Sequence, residues 1–190
     1  MTTPTGDTQS VSEAEGATAP TERWQVDSDR SRVGFRVRKM GLYDVKGRFR
    51  RFDGHMELGA SGELRGGQVV IEAASIHTRI PPRDWHLRTR DFLDAERHPE
   101  IRVFAEDVRE KADGTLGVSA YIDLHGTREQ ADLDAHLHEH ADASEPLVLH
   151  LHGVLDRHAF EVRPRLPFDW IVGREVHLDV RLTLQRPPSR

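Results

Sequence analysis

The sequence contains no cysteine among its 190 residues, and this absence removes several kinds of chemistry at once. Disulfide bridges, thiolate nucleophiles and thiolate metal sites all require cysteine. Aromatic residues are also scarce, at 6% of the chain. No run of apolar residues approaches the roughly 18 that a membrane-spanning helix needs, so we expect no transmembrane segment.

Positive charge is not in excess either, because 27 lysines and arginines stand against 32 aspartates and glutamates. The net charge of -5 gives no reason to expect a nucleic-acid partner, since such proteins usually carry a concentrated basic face. Residues 1–22 are rich in Thr, Ser, Glu, Ala, Gly and Pro. They lack the pattern of a secretory signal and cannot bury enough apolar surface to offset their ordering entropy. We therefore expect a disordered tail over residues 1–22, one folded domain over residues 23–187, and a cytoplasmic protein.

From Trp24 onward, apolar and polar residues alternate in several segments, most clearly in EVHLDVRLTL at residues 175–184. Such alternation is typical of antiparallel strands with one buried face and one solvated face. About eight such strands are separated by turn signals such as ADGT. The sequence therefore predicts an all-β fold, which buries these faces either as a two-sheet sandwich or as a closed barrel.

The residues on the predicted buried faces are mostly aliphatic. A barrel of about eight strands has an interior that is either filled by side chains or holds one small ligand. With so few aromatic side chains to fill a lumen, the composition is compatible with a cavity. A closely packed aliphatic core is the alternative, and the pattern alone leaves both open.

The segment RDWHLRTRDFLDAERHPEIRV, residues 83–103, interrupts the alternation with a dense run of charges. Asp84 and Arg88 have the spacing of neighbours on one helix face. Pro81 and Pro82 suit a helix start, and the helix dipole favours Asp84 in the first turn and Arg88 near the last. The segment therefore predicts one short helix within a strand-rich chain.

Three motifs occur together in this sequence: WQVDSDRSRVGFRVRKMGLYDVKGRFRRFDGHMEL at 24–58, SIHT at 75–78 and RDWHLRTRDFLD at 83–94. By these motifs the chain resembles the YceI-like family of polyisoprenoid-binding proteins. The resemblance implies an antiparallel lipocalin-like barrel of about eight strands, with one short helix inserted near residues 82–90 and packed near one end of the cavity. Homodimer formation is a further expectation of the same resemblance.

The function that the resemblance implies is non-catalytic binding, carriage or storage of a long-chain isoprenoid lipid, either a polyprenyl lipid or an isoprenoid quinone. No cofactor is expected. The expected partner is this isoprenoid or another long-chain lipid. The residues predicted to contact it are Phe35, Val37, Phe49, Val69, Ile71, Trp85, Leu87, Phe92, Val103, Val118, Ile122, Leu133, Leu178, Val180 and Leu182.

The alternative function is that of a hydrolase or isomerase acting on an apolar substrate. Its polar groups would be Arg83, Asp84, His86 and Asp91. His86 could serve as a general base oriented by one of the aspartates. Two residues that are two apart on a helix do not face each other, however, so Asp84 is poorly placed to orient His86. We therefore predict that the chain is not an enzyme.

The wet faces of the predicted strands carry two further features. His136 and His138, and likewise His150 and His152, have the spacing of residues on one strand face, where imidazoles could bind zinc, copper or nickel. A solvated strand face is the more common meaning of such spacing, so we predict no metal site and keep these four histidines as candidates only. The arginines at 32, 36 and 38 form a basic strip, which is either a solvated face or a surface for acidic lipid headgroups.

Overall fold

The structure is a computed structural model, and it describes residues 21–39, 42–138, 146–163 and 172–186. Most of these residues lie in strands. The strands are β1 (Thr21–Val26), β2 (Arg32–Lys39), β3 (Tyr43–Phe49), β4 (Phe52–Gly59), β5 (Leu64–Glu72), β6 (Ile76–His77), β7 (Glu100–Glu110), β8 (Leu116–Leu124), β9 (Thr127–His138), β10 (Leu147–Asp156) and β11 (Val172–Gln185). The α-helix α1 covers Pro81–Arg88, and a 3-10 helix covers Ala73–Ser75. No helix within these ranges is long and apolar enough to cross a membrane.

Three pairs of strands each behave as one long, kinked strand. β1 and β2 lie one after the other along the same edge of β11. β4 pairs with β1, and β3 pairs with β2. In the same way, β5 pairs with β4, and β6 pairs with β3. The strands from β7 to β11 then follow as antiparallel neighbours in chain order. Counted in this way, eight antiparallel strands close on themselves, so the prediction of a lipocalin-like barrel of about eight strands is confirmed.

The first kink, between β1 and β2, is held to β11 by side chains. Asp27 Oδ1 accepts hydrogen bonds from the backbone N–H groups of Asp29 and Arg30, at 3.1 and 3.2 Å, which shapes a tight turn. The Oγ of Ser31 accepts a 2.8 Å bond from the backbone N–H of Thr183 on β11. Asp27 donates its own N–H to the carbonyl oxygen of Thr183, also at 2.8 Å. The turn therefore interrupts the strand without opening the barrel seam.

The second kink lies where β3 continues into β4 and β5 continues into β6. Ser75 ends the 3-10 helix, and its Oγ donates to the carbonyl oxygen of Glu72 at 2.7 Å. The same Oγ accepts a 3.2 Å bond from the backbone N–H of Arg50, which lies between β3 and β4. One buried hydroxyl therefore joins the bends of two neighbouring strands.

The alternation in the sequence corresponds to the two faces of the sheet. On β9, Ala131, Leu133 and Ala135 are buried, and the residues between them are exposed. The hairpin from β8 to β9 turns at His125 and Gly126, both with positive φ (55° and 81°), which is the backbone shape that matches the twist of paired strands.

The connection from β6 to β7 carries α1. The helix starts at Pro81, one residue before the predicted range near 82–90, and ends at Arg88, two residues before the end of that range. It ends there because Thr89 has an extended backbone, although the N–H of Thr89 still bonds to the carbonyl oxygen of His86. Of the tail predicted for residues 1–22, residues 1–20 lie outside the described ranges. The last two, Thr21 and Glu22, are the first residues of β1.

The packed part of the interior should dominate the stability of the barrel. Leu184 on β11 is fully buried in the main hydrophobic cluster, whereas Leu42 is 78% exposed. We expect Leu184→Ala to lower the free energy of unfolding by about 2–5 kcal/mol, since it leaves a cavity in the core. Leu42→Ala should change it by no more than about 0.5 kcal/mol. Urea unfolding followed by circular dichroism measures both, and equal effects would contradict this placement of the core.

Candidate functional site

The barrel interior contains a cavity of about 1030 Å³. This volume slightly exceeds the range of about 300–1,000 Å³ that small-molecule sites usually occupy. Its walls are predominantly aliphatic and aromatic side chains from most of the strands. The sequence left open whether the interior is filled or hollow, and the structure shows that part of it is hollow.

Most of the residues predicted to contact a ligand lie on the cavity wall. They are Phe35, Val37, Phe49, Val69, Ile71, Leu87, Phe92, Val103, Ile122, Leu133, Leu178, Val180 and Leu182. Their side chains share the inward face of their strands or of the segment around α1. Whether they contact a ligand stays a prediction, but the geometry that the prediction requires is present.

Trp85 is a correction to that set, because it does not line the cavity and is 69% exposed. The side chains of α1 that line the cavity are Pro82, Arg83, His86 and Leu87. At about 100° per residue these four share one helix face, and Trp85 falls outside it. The charged pattern predicted the helix correctly but not its rotation relative to the barrel.

Val118 is a second correction. It points inward, as predicted, and is only 2% exposed, yet it belongs to the packed hydrophobic cluster and not to the cavity wall. Other buried side chains of this cluster that do not line the cavity include Trp24, Val26, Leu58, Ala135 and Leu184. They fill the part of the interior that lies beyond the cavity.

Phe35 reaches across the cavity wall because Gly47 leaves room for it. A Cβ atom on Gly47 would lie 2.3 Å from the ring of Phe35 and 2.9 Å from the methyl group of Thr78. Both distances are far shorter than a normal contact. A side chain at position 47 would force Phe35 and Thr78 to shift, so Gly47 in the 24–58 motif permits the observed close approach of these three segments.

A buried polar network fixes α1 to the barrel. The carboxylate of Asp84 accepts the backbone N–H of Thr78 at 2.7 Å, together with the Thr78 hydroxyl. Nδ1 of His77 donates to the other carboxylate oxygen at 3.1 Å. Arg83 adds bonds to the Oγ1 and the carbonyl oxygen of Thr78, at 2.7 and 2.8 Å. The first turn of the helix is thus attached to the end of β6.

The environment of Asp84 favours its ionised form. Burial opposes ionisation and by itself would raise the pKa of this carboxyl group. The hydrogen bonds from Thr78 and the contribution of His77 outweigh that effect, so the pKa of Asp84 lies below its ordinary value. A carboxylate held in this way is a structural anion and not a proton shuttle.

The four residues of the catalytic alternative do not form one cluster. Arg83, His86 and Asp91 border the cavity, whereas Asp84 is directed toward Thr78 and His77. The imidazole of His86 meets the ring of Phe92 edge-on, with centroids 5.1 Å apart. Asp84 is therefore not placed to orient His86.

Polar side chains around the cavity concentrate near one end of the barrel. The residues that border the cavity and are themselves exposed include Arg38, Lys39, Ile80, Pro82 and His86, and we refer to these five as the mouth. Arg38 and Lys39 end β2, Ile80 and Pro82 lie at the start of α1, and His86 lies in the second half of that helix. The cavity therefore opens to solvent where β2 leads into β3.

Sequence reasoning missed several residues in the connection between β10 and β11. Phe160 and Val162 are buried and line the cavity, although they belong to no strand. The buried guanidinium of Arg157 donates to the carbonyl oxygens of Val162, Val172 and Gly173, at 2.7, 2.8 and 3.0 Å. A connecting segment has no strand period that could assign these side chains to the interior.

The histidines predicted as candidate metal ligands lie on adjacent strands. His150 pairs with His136 across the ladder between β9 and β10, and its ring lies 5.0 Å from that of His138. Burial, followed by the charges of His138 and other neighbours, lowers the pKa of His150. Within the described ranges, no group of three or more His, Asp or Glu residues is placed to hold a metal ion.

The sequence of this chain matches the YceI-like domain family over residues 24–184. Among curated proteins, it is 30% identical over 104 residues to a UPF0312 protein of Vibrio campbellii. A UPF0312 protein of Shewanella denitrificans is also 30% identical, over 105 residues. These alignments span about half of either chain: 54% and 55% of this one, and 55% of each relative.

Solved structures show the same fold at lower sequence identity. BcnA of Burkholderia cenocepacia superposes with a TM-score of 0.76 at 18% identity, covering 83% of this chain and 98% of that one. A polyisoprenoid binding domain from Saccharophagus degradans gives 0.67 at 16% identity, over 86% and 98% of the two chains. The Campylobacter jejuni YCEI protein gives 0.63 at 21% identity, over 77% and 88%.

The network around Asp84 leads to a pH-dependent prediction. Replacing the carboxylate in Asp84→Asn should cost about 1.5–3 kcal/mol of unfolding free energy at neutral pH, since it removes a charged hydrogen-bond acceptor. Because the folded-state pKa lies below the ordinary value of 3.8, this contribution is present above pH 3.8 and is lost as the pH falls through the lower folded-state pKa. The stability difference between wild type and variant should therefore shrink in acid.

Urea unfolding at neutral pH and below pH 3.8 measures this difference. The exposed Asp29→Asn is the matched control and should have little effect at either pH. A difference for Asp84→Asn that stays constant with pH would show that folding does not lower the pKa of this carboxyl group.

Proposed function

This chain belongs to the YceI-like family, and on that premise we propose that its barrel binds a long-chain isoprenoid lipid, either a polyprenyl lipid or an isoprenoid quinone. The observation that carries the proposal is the cavity of about 1030 Å³ with apolar walls. The structural similarity to a polyisoprenoid binding domain supports this class of ligand. Binding, carriage or storage would all use the same site.

The driving force would be the removal of a methyl-rich chain from water. Each CH₂ group that leaves water contributes about 0.8 kcal/mol, and each Å² of apolar surface contributes about 25 cal/mol. A hydrocarbon chain needs no polar partner along its length, which suits walls built from residues such as Val103, Ile122 and Leu178. Selectivity would then depend on the length and width of the cavity and on its mouth.

The polar headgroup would remain at the mouth. Arg38 and Lys39 border the cavity there and are exposed, and Arg83 lies on the neighbouring face of α1. Cationic side chains at this end favour a headgroup with oxygen acceptors, such as a phosphate or a quinone carbonyl. The apolar chain would extend from the mouth toward Leu133 and Leu182.

We propose that this binding is non-catalytic. His86 borders the cavity, but the buried carboxylate of Asp84 is bonded to Thr78 and His77 and does not orient it. A general base needs a proton within hydrogen-bond reach and a partner that sets its tautomer. The edge contact of His86 with Phe92 supplies neither.

A substitution that fills the cavity tests the binding site directly. Val180 lines the cavity, and the next outward residue on the same strand is Asp179. We expect Val180→Trp to reduce the affinity for a polyprenyl lipid at least tenfold, because the indole occupies the space of the chain. Asp179→Trp adds equal bulk outside the barrel and should leave the affinity within a few-fold of wild type.

Mass spectrometry of an organic extract of the natively purified protein identifies the lipid, and titration with it gives the stoichiometry and affinity of each variant. About one lipid per barrel is expected. Circular dichroism confirms that both tryptophan variants are folded. Failure of wild type to bind any isoprenoid, quinone or fatty lipid at micromolar concentration would refute the proposal.

The non-catalytic role leads to a separate prediction for His86. His86→Ala should leave the lipid affinity within several-fold, and the lipid recovered after prolonged incubation should be chemically unchanged. Chromatography of the extracted lipid before and after incubation measures this. A turnover that persists through repurification of wild type and is absent in His86→Ala would instead establish the hydrolase or isomerase alternative.

A further inference from the structure

Large hydrophobic side chains are exposed beside the mouth. Leu42 is 78% exposed, Trp85 69%, Tyr43 68% and Ile80 48%, and among the described residues Val154 is the other exposed large hydrophobic side chain. Leu42 lies just before β3 and Tyr43 is the first residue of that strand, whereas Ile80 is the residue before α1 and Trp85 lies in the middle of the helix. The exposed apolar surface is thus confined mainly to two short segments.

These two segments lie next to each other. β6 pairs with the far end of β3, through Arg48 with His77, so the chain beyond β6 runs back along β3 toward its start. The contact of Thr78 with Gly47 continues this course. Ile80 then lies near the level of Val45, and both border the cavity. The side chains of Leu42, Tyr43, Ile80 and Trp85 therefore lie at the same end of the barrel as the mouth, and we call them the apolar rim.

The outward faces of β2 and β3 below this rim are strongly basic. Arg32, Arg36 and Arg38 on β2 lie beside Lys46 and Arg48 on β3, and all five are exposed. This basic strip contains one acidic residue, Asp44, which lies 3.8 Å from Arg36 and 3.7 Å from Arg38. Within the described part of the chain, Lys46 and Arg48 have no carboxylate at ion-pair distance.

The elements on either side of the basic strip carry charges of both signs. On the β11 side, Asp179 lies opposite Gly34 and is followed by Arg181, which lies opposite Arg32. On the β6 side stand His77 and, two residues on, the exposed Arg79. The carboxylate of Asp84 is buried and already bonded to Thr78 and His77. A surface with this excess of cations is unexpected in a chain whose net charge is -5.

An apolar rim above a basic strip has the chemistry of a surface for anionic lipid bilayers. Trp and Tyr side chains favour the headgroup level of a membrane, where one end of the ring is apolar and the other is wet. Each Lys or Arg near an anionic bilayer contributes about 1 kcal/mol, and this attraction is screened over about 10 Å. A nucleic acid would satisfy the basic strip but would leave the apolar rim in water.

We propose that the mouth end of the barrel docks on an anionic lipid membrane, with the apolar rim in the headgroup region and the basic strip facing the lipid phosphates. This rests on the proposed lipid-binding function, because docking turns the mouth toward the bilayer in which an isoprenoid resides. The lipid chain would then pass between bilayer and cavity without crossing water, which costs about 0.8 kcal/mol per exposed CH₂.

Sedimentation with lipid vesicles tests the proposal on the full chain. One set of vesicles contains phosphatidylcholine alone, and the other contains phosphatidylglycerol and phosphatidylcholine in equal parts. Wild type should bind the anionic vesicles, with weaker binding as salt is raised, and should bind the neutral vesicles much less. Equal binding to both sets, or no binding to either, would overturn the proposal.

Two double variants with matched controls locate the surface. Lys46→Gln with Arg48→Gln should weaken binding to anionic vesicles roughly 10- to 30-fold, as expected for two lost cations. Arg65→Gln with Arg109→Gln removes the same charge from β5 and β7 and should have a much smaller effect. Equal losses in the two double variants would show that net charge alone, and not this face, governs binding.

Leu42→Ser with Trp85→Ser should also weaken vesicle binding at least tenfold, whereas Val154→Ser on β10 should not. Binding of a polyprenyl lipid without vesicles should stay within several-fold in all of these variants, since none of the replaced residues lines the cavity. Loss of vesicle binding with lipid affinity retained supports docking. Wild type that docks on vesicles but binds no isoprenoid would refute the proposed function and leave docking standing.

Analytical ultracentrifugation separates docking from self-association. A wild-type dimer that becomes monomeric in the Leu42→Ser, Trp85→Ser variant, without any vesicle binding by wild type, would show that the rim is an interface between copies and would overturn the membrane proposal.

Discussion

Closure of the sheet along β11 is the constraint on which the rest of this structure depends. One edge of β11 pairs with β10, and the other edge is shared by β1 and β2, which the turn at Asp27–Ser31 separates. Because Thr183 bonds to Asp27 and Ser31 across this seam, the barrel has no free edge where the strand is interrupted. Closure also converts the inner faces of the strands into the wall of one enclosed space.

What occupies that space follows from side-chain volume. The interior beyond the cavity is filled by residues such as Trp24, Leu58 and Leu184, whereas the wall of the cavity itself is built mainly from Val, Leu and Ile. A scarcity of aromatic side chains therefore leaves a lumen of about 1030 Å³ without weakening the packed part. Other buried side chains, such as Leu133 and Leu149, belong both to the packed cluster and to the cavity wall.

The Thr78–Asp84 network has a corresponding role at the mouth. An ionised carboxylate in a buried position is tolerated because Thr78 and His77 supply its hydrogen bonds, and in return it holds the first turn of α1. The helix then presents Pro82 and Leu87 to the cavity and Trp85 to solvent. The opening of the cavity, the exposed cations Arg38 and Lys39, and the apolar rim lie at one end of the barrel. The proposed transfer of a lipid from a bilayer would require this arrangement.

The sequence by itself determined which residues face inward on each strand, because the period of two assigns every side chain to a face before the strands are paired. It also placed the helix, through Pro81, Asp84 and Arg88, and the family motifs indicated the closed barrel. Val118 shows the limit of that reasoning: the pattern predicts its inward direction correctly but not whether it meets a cavity or a packed core. That distinction depends on the side chains contributed by distant strands at the same level.

Other features were decided only by the tertiary structure. The rotation of α1, and hence the exposure of Trp85, depends on the bonds of Asp84 to Thr78, which no helical period encodes. The positions of Phe160 and Val162 depend on how the connection after β10 folds over the barrel. The approach of His138 to His150 depends on the register between β9 and β10. Local patterns specify direction within an element, whereas contacts between elements require the closed barrel that brings them together.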